Sequence, residues 1–182
     1  MNAAPRPPFR PPCQRGFTMV ELITVMVIIG ILAAVGAARF FDRQGFDADA
    51  FTAQVKALLR HGQKVAIAQN RAVFVRLDGQ SVALCFDAGC ASRLQPPSAQ
   101  NSGSATTLSR CGNDPAWACE GAPAGVTVSG AATFRFDALG KPFAATDAAE
   151  ASVSTFRTLA LSVSGDGNAR PVRVEQETGY VW

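Results

Sequence analysis

The chain has 182 residues, of which 48% are hydrophobic, and its 17 basic and 14 acidic residues give a formal net charge of +3. This length suits one domain of modest size plus a membrane segment. Arg6, Arg10 and Arg15 all precede Gly16, and the rest of the chain holds 14 basic and 14 acidic residues. That balance argues against a partner recognised mainly by charge, such as nucleic acid or an anionic lipid surface.

The first 16 residues are rich in proline and arginine. Proline removes backbone donors and disrupts helices, so residues 1–16 should form an irregular basic segment. Its three arginines favour the cytoplasmic side of a membrane. We expect a cytoplasmic leader over residues 1–16.

An apolar run follows, broken by the single acid Glu21 near its start. A helix over residues 17–38 would be about 33 Å long, close to the thickness of a bilayer's hydrocarbon core. An acid in such a helix costs up to ~2.5 to 3.5 kcal/mol at the bilayer centre and less near an end. The run therefore predicts a transmembrane helix whose carboxylate needs a cationic partner.

The sequence G-F-T-M-V-E-L-I, from Gly16 to Ile23, resembles the class III signal of type IV prepilins and type II secretion pseudopilins. The resemblance implies that a prepilin peptidase cuts between Gly16 and Phe17 and methylates the new amino group of Phe17. It also implies that Glu21 is the carboxylate used in assembly with other pilins through the N-terminal helix. The expected location is a single-pass inner-membrane protein with a periplasmic C-terminal domain, which later enters a filament.

Two other interpretations of the apolar run remain open. One is an ordinary secretory signal, cleaved among the small residues of 33–38. The other is a plain single-pass anchor. Neither accounts for a charged residue at Glu21 beside the Gly16-Phe17 pair.

Residues 39–71 should continue the helix in amphipathic form. Gly45 indicates a bend, and apolar residues from Phe51 to Ala66 recur with a 3.6-residue period. Acids near Asp47 and bases near Lys64 have the signs that a helix dipole favours. This helix should pack on a sheet.

Residues 72–182 read as an antiparallel β domain. Asp78-Gly79 between two β-rich runs predicts a hairpin. A long segment, 87–125, rich in Ser, Pro, Gly and Ala, should be an irregular loop. The predicted fold class is therefore α+β, with a long N-terminal helix packed on an antiparallel domain of two small sheets.

Five cysteines are present, and Cys13 lies in the expected leader. The remaining four are Cys85, Cys90, Cys111 and Cys119, and in an exported domain they favour two disulfides. Local pairing of Cys85 with Cys90 and of Cys111 with Cys119 is expected, while crossed pairing such as Cys85 with Cys119 stays open. Their spacing does not fit the close pairs of zinc sites, so we expect no metal and no cofactor.

No catalytic arrangement is evident, and we expect no enzyme. The only histidine, His61, should face solvent on the amphipathic helix. Asp166 and Asn168 should be turn residues, since acids with the spacing of a calcium loop do not surround them.

The order of helix and strands, and the segment from Phe136 to Pro142, resemble H-type pseudopilins and FimT-like minor pilins. The runs ARFFDR and QKVAIAQ look most like MshC-type minor pilins of mannose-sensitive haemagglutinin (MSHA) pili. The resemblance implies a minor pilin acting in pilus assembly or adhesion, or alternatively an H-type pseudopilin of a type II secretion system. A DNA-uptake pilin is the third possibility, but the tail after Gly179 has no arginine, and Arg170 and Arg173 are the nearest basic pair.

Overall fold

A computed structural model of the chain describes the backbone of residues 17–40 and 43–182, and the side chains of 17–36 and 43–182. The chain falls into two units, which divide at Phe41 and Asp42.

In its described part, the first unit forms α1 (Met19–Phe40), a helix of 22 residues. Its window Met19–Gly36 has a mean hydropathy of 2.5 and none of it is buried. By length and composition this helix can cross a membrane, a test that a signal sequence near an N-terminus also passes.

The second unit begins with α2 (Arg43–Ala68), whose buried face carries Phe51, Val55, Leu58 and Leu59. Gly45, where the sequence predicts a bend, lies buried in the first turn of this helix. A glycine weakens a helix only modestly, and tertiary packing outweighs that cost here.

Eight short strands follow. They are β1 (Val73–Leu77), β2 (Ser81–Cys85), β3 (Cys119–Gly121), β4 (Thr127–Ser129), β5 (Ala132–Phe136), β6 (Pro142–Ala144), β7 (Leu159–Ser164) and β8 (Arg170–Val174). One sheet has the order β3-β2-β1-β5-β6 and the other the order β4-β7-β8, and all pairs are antiparallel. The predicted architecture, a helix followed by an antiparallel domain of two small sheets, is confirmed.

The core lies where α2 packs on strands of both sheets. Phe51 and Leu59 of the helix, and Phe134 and Phe136 of β5, are almost completely buried. Burial of each such side chain contributes roughly 1.5 to 3 kcal/mol. The 3.6-residue apolar pattern of α2 and the alternation in β1 thus meet in one core.

The predicted hairpin is present at Asp78-Gly79. Gly79 has a φ of 84°, which glycine adopts without strain. The Asp78 carboxylate accepts hydrogen bonds from the backbone N–H groups of Gln80 (2.9 Å) and Ser81 (2.6 Å). The turn is therefore fixed by its own residues.

The predicted irregular loop over 87–125 is only partly correct. It contains a short helix, α3 (Ala105–Arg110), and the edge strand β3. Ser104 caps α3 by accepting a hydrogen bond from the Thr107 N–H at 3.1 Å. The polar composition of the segment concealed both elements, because their stability comes from contacts with the rest of the domain.

Candidate functional site

The N-terminal end of α1 carries the residues that the sequence singles out. Gly16, the first residue of the expected cleavage pair, lies outside the described residues. Phe17 precedes the helix and is 80% exposed, and Glu21 lies in its first turn. Both side chains are thus accessible at one end of an apolar helix.

Thr18 explains why the helix starts where it does. Its side-chain oxygen accepts a hydrogen bond from the Glu21 N–H at 3.2 Å, and its carbonyl accepts one from the Leu22 N–H, also at 3.2 Å. Thr18 is therefore the N-cap residue. The sequence analysis missed this role, although Thr18-x-x-Glu21 has the pattern of a capping box.

Glu21 takes part in this cap only through its backbone N–H. Within residues 17–36 and 43–182, no hydrogen bond or ion pair engages its carboxylate. A negative charge in the first turn of a helix is favoured by the helix dipole, by about 0.3 to 1 kcal/mol at an exposed site. The carboxylate is thus tolerated at this position.

The rest of α1 offers no polar face in its described part. Apolar side chains such as Ile23, Val27 and Ile31 are each more than half exposed, and the Thr24 hydroxyl donates to the Val20 carbonyl at 2.7 Å. A helix that is apolar all round needs lipid or other apolar helices around it.

The four cysteines of the second unit lie together at the β2–β3 edge of the larger sheet. Cys85 is bonded to Cys90 and Cys111 to Cys119, with Cα–Cα distances of 5.1 and 5.9 Å. This is the local pairing, and it leaves the crossed alternative unused. Among the described residues, no group of three or more His, Cys, Asp or Glu side chains is placed to hold a metal ion.

Trp117 completes the cysteine cluster. Its indole N–H donates to the Leu84 carbonyl at 2.9 Å, and the Arg93 guanidinium lies 4.5 Å from the centre of its ring. Arg93 also pairs with Asp114 at 2.8 Å. The two disulfides and this stacked arginine tie the 87–121 segment to the sheet edge.

A second charged group joins the start of α2 to the β7–β8 turn. The Arg170 guanidinium contacts Asp49, pairs with Asp166 at 2.8 Å and donates to the Gly45 carbonyl at 3.2 Å. The hydrogen bond from Arg170 holds the pKa of Asp166 well below its usual range, and the two carboxylates raise the pKa of Arg170. Asn168 completes the turn by donating its backbone N–H to Asp166 at 3.0 Å.

This network bears on two sequence expectations. Asp166 and Asn168 act as turn residues with an arginine as counter-ion. The Arg170 side chain is only 16% exposed and already paired, so of the two tail arginines only Arg173 is exposed to a phosphate group.

His61 has intermediate exposure on α2, and its contact with the segment after β2 is exposed to solvent. One ring nitrogen lies 3.2 Å from the Gln95 carbonyl. The segment after β2 covers this part of α2, which the helix pattern alone could not indicate.

Comparison with known proteins gives one match at the N-terminus. The family model for the prokaryotic N-terminal methylation motif matches residues 11–37. The matched range includes Gly16, Phe17 and Glu21, so the motif predicted for this segment is confirmed. No curated protein matches the chain.

Among solved structures, two crystal forms of the type IV minor pilin FimU of Pseudomonas aeruginosa (strain PAO1) are similar to this chain. One aligns at 14% identity over 74% of this chain and 90% of the FimU chain, with a TM-score of 0.44. The other aligns at 15% identity over 78% of this chain and 87% of the FimU chain, also with a TM-score of 0.44.

Proposed function

We propose that this chain, which carries the N-terminal methylation motif of the type IV pilin family, is a minor pilin: a structural subunit rather than an enzyme. The observation that carries the proposal is α1, an apolar helix inside the matched motif, whose first turn holds a carboxylate that no described side chain engages. A helix of this kind serves as a membrane anchor first and as an assembly element afterwards.

In this proposal a prepilin peptidase cuts between Gly16 and Phe17 and methylates Phe17. The cut creates an amino group one helical turn from Glu21. In a filament, the Glu21 carboxylate of one subunit pairs with the Phe17 amine of a neighbour. A charge buried among apolar helices is tolerated when it is paired in this way.

Before assembly, the subunit resides in the inner membrane as a single-pass protein with its β domain in the periplasm. The two disulfides suit that oxidising compartment. The filament is an MSHA-type pilus, in which the subunit acts in assembly or adhesion.

A type II secretion pseudopilus is the second candidate, because the order of N-terminal helices and two small sheets also suits an H-type pseudopilin. Both candidates require the same cut and the same carboxylate. They differ in the filament that the mature chain enters.

The test is an intact mass measurement on the protein taken from native membranes and from sheared surface filaments. We expect a chain that begins at methylated Phe17 in both samples. A mature terminus after Ala37 or Ala38, or an uncut leader, would contradict the proposal. Absence from surface filaments together with loss of protein export in a deletion strain would instead assign the chain to a secretion system.

A further inference from the structure

A groove of about 290 Å³ lies between α2 and the segment that leads into α3. Its apolar part is formed by Ala57 and Leu58 of the helix and by Pro96 and Pro97 of the segment. Neutral amide and hydroxyl side chains line the remainder, and Glu120 of β3 is the one titratable residue on its wall.

Glu120 is unusual because it is a buried acid, only 7% exposed. Ser102 donates its backbone N–H to one carboxylate oxygen at 2.7 Å and its hydroxyl to the other at 2.5 Å. The Thr107 hydroxyl donates to that second oxygen at 3.0 Å. Among the described residues, no Lys, Arg or His nitrogen lies within 4.0 Å of either oxygen.

The hydroxyl of Thr107 is oriented by its other contacts. Its oxygen accepts the Gly121 N–H at 3.1 Å and the Ser104 hydroxyl at 3.0 Å, which directs its own hydrogen to Glu120. The carboxylate is therefore held in place by neutral donors. Buried acids are normally paired with a cation, and this one lacks a cationic partner within the described chain.

We propose that the groove binds an aliphatic cation, the terminal group of a lysine or arginine side chain or of a small amine of similar length. The apolar walls accept the methylene stem, which such side chains bury readily, and Glu120 accepts the charged head. An anion is disfavoured, because the only titratable group on the wall is an acid. This binding is independent of the processing and assembly proposed above.

The test uses the full-length chain in detergent micelles, with N-acetyl-lysine methylamide as probe and N-acetyl-norleucine methylamide as the uncharged control of equal stem length. Binding is followed by NMR shifts of the Gln54 and Asn101 side-chain amides, which line the groove. We expect saturable binding of the lysine probe, at least about tenfold tighter than the norleucine probe. Glu120→Gln should abolish that preference, and Glu177→Gln, at an exposed acid, should leave it intact.

A second variant guards against misfolding of Glu120→Gln. Ala57→Leu keeps the carboxylate and narrows the groove from the helix side. It should lower the binding affinity of both probes, while the melting temperature of the domain stays unchanged. Equal affinity for the two probes, no saturable binding, or lysine binding that survives both substitutions would overturn the proposal. n-Pentylamine distinguishes the two kinds of natural ligand. Binding of the lysine probe supports the side chain of a protein as the ligand, and binding of n-pentylamine alone supports a small amine.

Discussion

At the scale of single residues, Glu21 has two separable contributions. Its backbone N–H takes part in the Thr18 cap, and its carboxylate makes no hydrogen bond or ion pair with the described residues. Substituting the side chain should therefore spare the helix start. Removing the Thr18 hydroxyl should instead weaken the start of the helix and leave the Glu21 carboxylate in place, since an N-cap contributes ~1 kcal/mol to helix stability.

We expect Glu21→Ala to leave the amount of processed protein in the inner membrane unchanged and to remove the protein from sheared filaments. The physical reason is that a neighbour's Phe17 amine would enter an apolar core without its counter-ion, at a cost on the order of 3 to 5 kcal/mol. Quantitative immunoblots of membranes and filaments measure both quantities. Thr18→Ala is the matched control and should still enter filaments; equal entry of Glu21→Ala and the parent would show that the pairing role is wrong.

The Asp166–Arg170 pair predicts a pH dependence of the second unit. Because the pKa of Asp166 is lowered from its usual 3.8, the pair stabilises the fold fully above that value and loses its effect as the pH falls through the lowered pKa. Asp166→Asn should therefore lower the melting temperature by several degrees at pH 6. The difference from the parent should shrink steadily below about pH 4, the usual range of an aspartate.

Melting curves by circular dichroism between pH 2 and pH 7 measure this difference. Glu177→Gln is the control, because it removes the Lys141–Glu177 pair, in which the acid is 66% exposed. Pairs of that kind contribute little. A difference between Asp166→Asn and the parent that stays constant down to pH 2 would contradict the assignment.

At the scale of elements, the two disulfides hold α3 and β3 against the larger sheet. Cys111 follows the end of α3 and Cys119 begins β3, so their bond links these two elements directly. Cys85 ends β2 and its bond closes the shorter loop, with a sequence separation of 5 against 8. Closure entropy grows with loop length, so the second bond should stabilise slightly more.

We expect the Cys111→Ser, Cys119→Ser double variant to lose ~2 to 3 kcal/mol of unfolding free energy, and the Cys85→Ser, Cys90→Ser variant a little less. Denaturant unfolding of the full chain in detergent measures both. Cys13→Ser, in the expected leader, is the control and should match the parent. If a non-reducing peptide map finds free thiols at all four of these cysteines, or if the protein binds zinc, these bonds are absent from the native protein.

At the scale of the whole molecule, the chain joins an apolar helix to a domain with its own core. In our proposal, cleavage of the peptide bond between Gly16 and Phe17 decides whether the chain stays in the membrane or enters a filament. In that proposal, residues 1–16 carry three arginines that favour the cytoplasmic side of the membrane until they are removed. Cleavage removes that restraint and supplies the amine for Glu21.

Gly16→Leu should therefore block cleavage, keep the intact mass higher by the whole leader and prevent entry into filaments. Intact mass and filament immunoblots give the two measurements. Gly36→Ala is the matched control, because an added Cβ at Gly36 meets no atom within 4 Å and should leave processing normal. A normally cut Gly16→Leu protein would refute the assigned site.

The sequence by itself determined the features that depend on near neighbours along the chain. The apolar run with Glu21, the period of α2 and the Asp78-Gly79 turn are all local, since helix and turn contacts join residues a few positions apart. The Thr18 cap is equally local, although the sequence analysis missed it. The local cysteine pairing was expected on the same ground, because each partner lies within one short loop, but only the structure excluded the crossed pairing.

Only the tertiary structure decided the features that join distant residues. Arg170 meets Asp49 across 121 positions, and Glu120 meets Ser102 across 18. β3 and β6 have three residues each, too few for a period to show, and they exist because a neighbouring strand offers its backbone groups. Such contacts leave no repeat in the sequence, since their free energy comes from burial and hydrogen bonding that arise only when the chain has folded.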